Sequence, residues 1–199
     1  MNRLIGLHSS IPKSGKSTVA KILNEEHDYC TIPFAHPIKR LTETFLRQVV
    51  VTGDEIDLDF IEQNKTTLIS ELNPLMRQCN FSVRHLMQTL GTEWGRNQLH
   101  PDIWIMIWSS TVEKAGRLDI KVCSDDLRFA NEALAIRNMG GEIWKIIRPD
   151  HSVDAAITNH PSEYGLDEKI FDRVIVNDGS IDDLKSKISQ ILAPQKVFF

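Results

Sequence analysis

A lysine that follows glycine and precedes two hydroxyl residues lies in a short loop near the start of the chain. The loop reads Ser10-Ile11-Pro12-Lys13-Ser14-Gly15-Lys16-Ser17-Thr18. It follows the apolar run 4–7 and precedes a helical pattern over 19–23. A strand, a tight loop and a helix in this order form a cradle for phosphate, because the backbone N–H groups that open the helix point at the anion. Lys16 adds a mobile positive charge and the Ser17 hydroxyl can bind Mg²⁺, so the sequence predicts a nucleoside triphosphate site.

The first position of this loop departs from the common pattern G-x-x-x-x-G-K-[ST]. Ser10 stands where that pattern has its first glycine, whereas the segment Ser14–Thr18 is intact. Glycine adopts backbone angles that serine reaches only with strain, so we expect a strained or shifted bend where the loop opens. The alternative interpretation is an ordinary polar turn before a helix, which the strand–loop–helix context disfavours.

An acidic pair, Asp125 and Asp126, forms the second candidate site, with Arg128 two residues later. A carboxylate at the tip of a strand beside the phosphate loop can hold Mg²⁺ or its waters next to Ser17. Aspartate is also favoured as the N-cap of a helix, and spacing alone leaves both interpretations of Asp126 open. The guanidinium of Arg128 suits bidentate binding of a phosphate, and a surface ion pair is the alternative.

A third candidate group lies on a predicted helix that Ser82 can cap. Arg84 and Gln88 are four residues apart, so on a helix they share one face and can meet one ligand. Arg96 comes after two glycines, at 91 and 95, each of which costs about 1 kcal/mol relative to alanine inside a helix. Because glycine destabilises a helix, its presence at both positions indicates that tight packing or ligand binding requires it. The alternative interpretation of the segment is a kinked amphipathic helix with a solvated polar face.

These groups fit phosphoryl transfer better than nucleophilic catalysis by a protein side chain. Transfer of a phosphoryl group concentrates negative charge between donor and acceptor, and cations together with Mg²⁺ stabilise that charge. The histidines are scattered along the chain and form no serine–histidine–acid order. The positive side chains expected to serve this role are Lys16, Lys39, Arg84, Arg96, Arg128 and Arg148.

Composition and length describe a chain that can bury one core. It has 199 residues, of which 41% are hydrophobic and 25% are charged, and its net charge is −4 at pH 7. These values are typical of one globular domain. A long nucleic-acid footprint requires a clustered basic surface, so the mildly acidic charge favours a small phosphorylated substrate held by a few local cations and argues against a nucleic-acid partner.

Cysteine usage and the N-terminal segment predict a cytoplasmic protein. Cys30, Cys79 and Cys123 are widely spaced and form no Cys-x-x-Cys pair, as expected for reduced thiols and not for a zinc site. The chain turns polar at His8 after a few apolar residues, which does not fit a signal peptide. No segment approaches the roughly 20 apolar residues that cross a membrane, so we expect no membrane partner.

Strand and helix patterns alternate along the chain. We predict strands at 3–8, 29–34, 119–123, 142–147 and 173–176, and helices at 15–26, 38–49, from 82, from about 101, at 131–138 and at 181–192. This alternation predicts an α/β fold, a three-layer doubly wound parallel sheet whose ligands bind at the carboxyl ends of the strands. We expect one domain, 1–199, with a partly irregular insertion at about 49–81. The helix from about 101 is expected to turn four side chains inward: Ile103, Trp104, Ile107 and Trp108.

Five sequence blocks occur in a fixed order over nearly the whole chain. They are the segments 14–20, 34–39, 88–96, 126–132 and 160–163. The third contains Gly-Thr-Glu-x-Gly-Arg and the fourth reads Asp-x-Arg-Phe-x-Asn-Glu, and these two are the most specific. Through these blocks the chain resembles the phage-type deoxynucleoside monophosphate kinases, which are small P-loop phosphotransferases.

The resemblance implies transfer of the γ-phosphate of ATP to a deoxynucleoside 5′-monophosphate, with ATP and Mg²⁺ as cofactors. It implies that the phosphate loop holds ATP through Lys13, Ser14, Gly15, Lys16, Ser17 and Thr18. It implies that the acceptor site is lined by Phe34, Lys39, Arg84, Gln88, Arg96 and Arg128, with Phe34 stacking on the base. The expected catalytic residues are Lys16, Asp126, Arg128 and Arg148, and the expected metal ligands are Ser17 and Asp126.

The resemblance further implies a lid at about 148–170 that closes over the phosphates. Arg148 at its start is the only arginine in that segment, so charge stabilisation is expected to rely on the other cations. Asn177 is placed in the loop on the adenine side. Pairing with a second copy through the segment 51–80 is a further expectation, and a phage-encoded member would work in the host cytoplasm.

Two other functions remain open at the level of sequence. One is a P-loop kinase for another small acceptor such as dephospho-coenzyme A, whose family shares the pattern Phe-Ala-x-Pro-x-Lys at 34–39. The other is a nucleotide-binding regulator without turnover, for which Ser10 and the arginine-poor lid are the relevant features. A profile of phosphoryl acceptors distinguishes a kinase for another small acceptor from a deoxynucleoside monophosphate kinase. Binding of ATP without phosphoryl transfer identifies the regulator.

Overall fold

Five strands build the sheet that carries the phosphate loop. They are β1 (Leu4–His8), β2 (Tyr29–Thr31), β3 (Lys121–Leu127), β4 (Glu142–Ile147) and β5 (Arg173–Val176). All pairings are parallel, and the order across the sheet is β2-β3-β1-β4-β5. The computed structural model describes residues 3–11, 13–51, 53, 55–149 and 166–193. Because β1 is the central strand, the loop that follows it opens at the middle of the carboxyl edge.

Helices occupy most of the remaining described chain. The α-helices are α1 (Lys16–His27), α2 (His36–Val49), α3 (Leu58–Gln63), α4 (Ile69–Leu72), α5 (Val83–Gln88), α6 (Ile103–Arg117), α7 (Ala130–Asn138) and α8 (Ile181–Leu192). A π-helix covers Thr89–Leu99, and 3₁₀ turns cover Pro74–Met76 and Glu168–Ile170. None of the helices in the described part of the chain has the length and apolar character that crossing a membrane requires.

Helices cover both faces of the sheet. Ile5 and Leu7 of β1 are fully buried in a cluster that contains residues of α1 and α8. On the opposite face, an added Cβ at Gly6 would lie 2.3 Å from Ile136 of α7. Alternate side chains of β1 therefore pack against different helices, as in a strand buried on both faces. The predicted α/β fold with a doubly wound parallel sheet is confirmed.

The chain divides by its internal contacts into two compact units. Unit 1 comprises 1–34 and 109–199 and contains the sheet, and unit 2 comprises 35–108. Unit 2 has its own apolar core, to which α2, α3, α4 and α5 contribute. Its fully buried members are Leu46, Ile61, Ile69 and Val83. The insertion predicted at about 49–81 falls within unit 2.

The predicted ends of two strands are wrong, and β1 and β3 begin at Leu4 and Lys121 and not at 3 and 119. β2 ends at Thr31 and not at Phe34, because Pro33 lacks the N–H that would continue the ladder. β3 runs on to Leu127, past the predicted end at Cys123, since a β-bulge accommodates the residues that follow. The ranges predicted for β4, β5 and α8 are confirmed.

A π-helix follows α5 where the sequence predicted an interrupted helix. The indole of Trp104 lies against its backbone, and Trp104 Nε1 donates a hydrogen bond to the Gly91 carbonyl over 2.7 Å. An added Cβ at Gly95 would lie 2.3 Å from the same ring. Gly95 thus has a packing reason, since a larger residue there would displace the indole, whereas an added Cβ at Gly91 would lie 3.1 Å from Ile38. Widened turns of this kind are frequent at functional sites.

The inward face of α6 is narrower than predicted. Trp104 and Trp108 are buried, with 3% and 0% of their surface exposed, and Val112 continues the same stripe. Ile107 is 39% exposed, so its predicted burial is wrong. Residues spaced by four share the buried face of a helix, and Ile107 lies beside that stripe and not on it.

Candidate active site

The backbone of the phosphate loop bends at two left-handed residues. Lys13 has a φ of 57° and Gly15 has a φ of 104°. Left-handed residues next to ordinary ones orient successive N–H groups into a concave anion site. Lys13 is not glycine, and a left-handed angle there costs about 1–2 kcal/mol. Backbone strain of this kind is typical of ligand-binding loops that the surrounding structure holds in place.

The opening bend at Ser10 is not strained in this way. Among the described residues, the non-glycine positions with positive φ are Lys13, Asp28 and Asp119, and Ser10 is not one of them. The Ser9 side chain contributes to the bend, because its Oγ lies 3.3 Å from the Ile11 backbone N–H that donates to it. Serine therefore replaces the usual first glycine without a left-handed backbone, and the expected strain is not found.

A cavity of about 250 Å³ lies at this loop. Asn177, which follows β5, donates from Nδ2 to the Ser14 carbonyl over 2.9 Å. Arg148, which follows β4, directs Nη1 to the Lys13 carbonyl at 3.5 Å. The carboxyl ends of β1, β4 and β5 therefore meet at one cavity, as predicted for a parallel sheet. Its lining residues are Lys13, Ser14, Gly15, Lys16, Ser17, Thr18, Arg148 and Asn177.

Lys16 is the half-buried cation of this cavity. Its Nζ lies 3.5 Å from the Ser9 carbonyl. Burial lowers the pKa of Lys16 and the charge of Arg128 lowers it further, whereas Asp125 and Asp126 act in the opposite direction. Asp125 and Asp126, near the end of β3, and Arg128, which follows it, thus act electrostatically on the phosphate-loop lysine.

A β-bulge places Asp126. β1 advances two residues from Gly6 to His8 while β3 advances three from Ser124 to Leu127. Bulges are frequent next to active sites, where the extra residue re-aims a side chain. Asp126 Oδ1 accepts a hydrogen bond from the Phe34 backbone N–H over 2.7 Å, which ties the end of β3 to the loop after β2.

The helix-cap interpretation of Asp126 is wrong. The N-cap of α7 is Phe129. Glu132, which is 5% exposed, accepts from the backbone N–H groups of Arg128 and Phe129 at 2.9 and 3.1 Å. Because Glu132 satisfies these donors at the start of α7, Asp126 is not needed for capping.

His8 is a buried residue beside the loop that sequence reasoning did not assign to the site. It is 3% exposed, and its Nδ1 lies 3.2 Å from the Leu127 carbonyl. A carbonyl only accepts, so Nδ1 carries the proton and Nε2 is an acceptor. Nε2 has no hydrogen-bond partner in the described part of the chain. Burial lowers the pKa of His8 below its ordinary value of 6.5, against the hydrogen bond to Leu127, which raises it.

The lowered pKa of His8 predicts that the folded protein loses stability in acid. The unfolded chain binds a proton at His8 near pH 6.5, whereas the folded chain binds it only at lower pH. The free energy of unfolding should therefore fall as the pH decreases through 6.5. Urea unfolding of wild type and His8→Phe between pH 7.5 and 5.5 measures this, and the variant, which keeps a ring against Phe171, should lose less stability on acidification. Equal pH slopes for the two proteins would contradict it.

Unit 2 carries four of the residues predicted for the acceptor. Lys39 Nζ forms an ion pair with Glu62 Oε1 at 2.6 Å. Arg84 and Gln88 are exposed on α5, and Arg96 is part of the π-helix. The remaining two predicted residues belong to unit 1, where Phe34 is 4% exposed and Arg128 is exposed.

Sequence reasoning missed Glu62 and its second partner, Lys65, because both lie in the segment interpreted as irregular. Their spacing of three residues was the available signal, since an acid near the end of a helix can reach a base three positions later. Of the predicted lid, 148–170, residues 150–165 lie outside the described chain, and so does the sequence block 160–163.

The donor set at the loop suits Mg²⁺. The described residues contain no group of three His, Cys, Asp or Glu side chains that could enclose a metal. Mg²⁺ keeps several waters and binds through one or two carboxylates together with substrate phosphates, so it needs no such enclosure. Ser17 offers a hydroxyl at the cavity, and Asp125 and Asp126 offer carboxylates close enough to act on Lys16.

The parallel sheet, with a phosphate loop after its central strand, has the architecture of the P-loop kinase fold. A solved dephospho-CoA kinase from Campylobacter jejuni is similar to this structure, with a TM-score of 0.50, 18% identity and 95% of both chains covered. At that identity the similarity shows the fold alone.

Comparison of sequences identifies the family. Residues 43–188 match the family described as deoxynucleotide monophosphate kinase. The chain is 30% identical over 196 residues to a protein of Acanthamoeba polyphaga mimivirus, with 93% of both chains covered. It is also 31% identical over 170 residues to the deoxynucleotide monophosphate kinase of Enterobacteria phage T4. That match covers 84% of this chain and 64% of the phage protein. The chain belongs to the deoxynucleotide monophosphate kinase family, as its sequence blocks predicted, and membership of a kinase family assigns it to the ATP-dependent phosphotransferases.

Proposed function

We propose that this protein transfers the γ-phosphoryl group of ATP to a deoxynucleoside 5′-monophosphate. The bond between the γ-phosphorus and the bridging oxygen of ADP breaks, and an oxygen of the acceptor's phosphate forms a bond to the same phosphorus. The products are ADP and the deoxynucleoside diphosphate. The observation that carries this proposal is the cavity that gathers the phosphate loop, Arg148 and Asn177 in a member of this family.

On the donor side, we assign the ATP phosphates to the loop N–H groups and Lys16. The phosphoryl group in transfer carries dispersed negative charge, which fixed cations stabilise without reorganising at the moment of reaction. Lys16 and Arg128 supply that charge from the loop and from the end of β3. Mg²⁺ bound by Ser17 and Asp126 would neutralise the phosphate oxygens. Asn177 holds the loop in shape through its hydrogen bond to Ser14.

On the acceptor side, we assign the 5′-phosphate to cations of unit 2. Lys39 at the start of α2 and Arg84 at the start of α5 are the first candidates. Gln88, one turn after Arg84, and Arg96 add a neutral hydrogen-bonding group and a further guanidinium. A monophosphate dianion requires several such donors, and a mixed set of lysine, arginine and glutamine suits both the phosphate and a polar base.

A screen of acceptors tests this function. ADP release is measured with ATP–Mg²⁺ and each of the four common deoxynucleoside monophosphates, with dephospho-coenzyme A as a competing acceptor. We expect turnover with at least one deoxynucleoside monophosphate and none with dephospho-coenzyme A. Release of ADP with dephospho-coenzyme A alone, or with no acceptor at all, would contradict the proposal.

Replacement of Arg148 separates a role in catalysis from a role in binding ATP. Its guanidinium lines the cavity, and its contact with the Lys13 carbonyl of the loop is long, at 3.5 Å. We expect Arg148→Ala to lower kcat by about tenfold or more and to change KM for ATP by less than about threefold. Arg117→Ala, at the exposed end of α6, is the matched control and should leave both constants unchanged. Equal losses in kcat and in ATP affinity would instead indicate a ground-state contact.

A further inference from the structure

One carboxylate holds two lysines in unit 2. Glu62 Oε1 lies 2.6 Å from Lys39 Nζ, and Glu62 Oε2 accepts a hydrogen bond from Lys65 Nζ. The lysine side chains are 21% and 31% exposed, whereas the Glu62 side chain is 41% exposed. Burial raises the pKa of Glu62, but the hydrogen bonds from Lys39 and Lys65 more than offset this and keep it below its ordinary value. Glu62 is therefore an anion clamped between two ammonium groups.

Three elements meet at this cluster. Lys39 lies on α2, Glu62 lies on α3, and Lys65 lies in the turn after α3. The turn is tied to α5, because the Arg84 backbone N–H donates to the Lys65 carbonyl over 2.8 Å. Lys65 is therefore flanked by two groups already assigned to the acceptor, Lys39 and the start of α5, which carries Arg84. Lys65 itself is not among the residues assigned above.

We propose that Lys65 joins Lys39 in binding the acceptor's phosphate and that Glu62 is an internal counter-ion which the incoming phosphate displaces. This inference rests on the proposed function, since it deepens the acceptor site of the same reaction. Lysine ammonium groups are point charges with three donors each, so two of them can exchange one anion for another. A 5′-phosphate offers three oxygens and close to two negative charges, whereas a carboxylate offers two oxygens and one charge.

Displacement of Glu62 is physically feasible. Two half-buried ammonium groups without an anion would repel each other and lose solvation, so a carboxylate stabilises the empty site. Glu62 is the most exposed of the three side chains and can turn to water when the phosphate arrives. Competition between Glu62 and the phosphate raises KM for the acceptor. It also discriminates against anions of lower charge, because only an anion with more charge than a carboxylate displaces Glu62 from the lysines.

Steady-state kinetics of charge variants test the proposal. Glu62→Gln removes the competitor and should lower KM for the preferred deoxynucleoside monophosphate by about threefold to tenfold, with KM for ATP unchanged. Lys65→Met should raise the acceptor's KM by about tenfold, and Lys65→Arg should restore most of it. Asp59→Asn, one turn earlier on the same helix, removes an equal charge from an exposed position and should change neither constant.

Three results would overturn the proposal. A raised acceptor KM in Glu62→Gln would mean that Glu62 positions Lys39 for binding. An equal decrease in Glu62→Gln and Asp59→Asn would mean a general electrostatic effect. An unchanged acceptor KM in Lys65→Met would remove that lysine from the site. Thermal unfolding of each variant shows that it is folded.

Failure of the proposed function is recognised separately. In that case the wild-type protein turns over none of the deoxynucleoside monophosphates. Calorimetric titration of the same monophosphates, without ATP, still reports whether Glu62→Gln binds them more tightly than wild type. Tighter binding there supports the displacement of Glu62, and equal or weaker binding overturns it.

Discussion

Replacing Lys16 with methionine is expected to reduce kcat by about a thousandfold, the largest effect of any single change to a side chain. Lys16 lines the phosphate-loop cavity, and its half-buried position gives its charge more effect than it would have in water. Methionine keeps an unbranched chain of similar length and removes only the ammonium. The measurement is steady-state turnover of ATP with the preferred acceptor.

Lys21→Met is the matched control for this change. Lys21 lies on the same helix and is 71% exposed, and its ion pair with Glu25 is long, at 3.7 Å. Surface pairs of this type contribute about 0–1 kcal/mol to stability, so the control should fold and turn over as wild type does. If Lys16→Met keeps turnover within about tenfold of wild type, the assignment of the phosphoryl group to this loop is wrong.

Gly15→Ala should lower kcat/KM for ATP by about a hundredfold, because a shift of about 1 Å in a positioning element has effects of that size. The φ of 104° at Gly15 is one that alanine rarely adopts. The added Cβ would also lie 2.4 Å from Asn177 Nδ2, the group that fixes the Ser14 carbonyl. The loop must therefore move, and the N–H groups and Lys16 must move with it.

Gly116→Ala provides the contrast on the same chain. Gly116 lies in α6 with ordinary backbone angles, and an added Cβ there meets no atom within 4 Å. Alanine is the better helix former, so this variant should gain about 0.5–1 kcal/mol of stability and keep full activity. A Gly15→Ala protein with wild-type kinetics would contradict the account of the loop, whereas loss of activity in both variants would indicate a general intolerance of alanine.

The sheet was predictable because its strands are short, apolar and separated by helical patterns. β4, β5 and α8 have clear ends: Gly141 precedes β4, and Ser180 with Asp183 forms the capping box of α8. Such signals are local and act within a few residues. The phosphate loop was predictable for the same reason, since its functional groups are contiguous in sequence.

The end of β3 was not predictable from local pattern. Two consecutive aspartates normally mark the end of a buried strand, but a bulge lets β3 continue through them to Leu127. The bulge exists because of pairing with β1, more than 100 residues away, and no window of sequence around Asp126 contains that information. The partner of Asp126 in its hydrogen bond, the Phe34 N–H, is also distant along the chain, 92 positions away.

The π-helix illustrates the same limit. Gly91 and Gly95 indicated a packing or binding reason, and the structure supplies the packing partner, the indole of Trp104. Spacing identified the glycines but not the indole that requires Gly95. For Lys39, the family resemblance identified the lysine itself. Its ion-pair partner, the Glu62 carboxylate, is visible only in the folded structure.

Transfer of a labelled phosphoryl group distinguishes a kinase from a protein that only binds or hydrolyses ATP. The protein is incubated with ATP labelled at the γ-phosphate, Mg²⁺ and a deoxynucleoside 5′-monophosphate, and the products are separated. We predict that the label appears in the β-phosphate of the deoxynucleoside diphosphate, in amounts equal to the ADP formed. Label recovered only as inorganic phosphate, or ATP bound without any transfer, would contradict it.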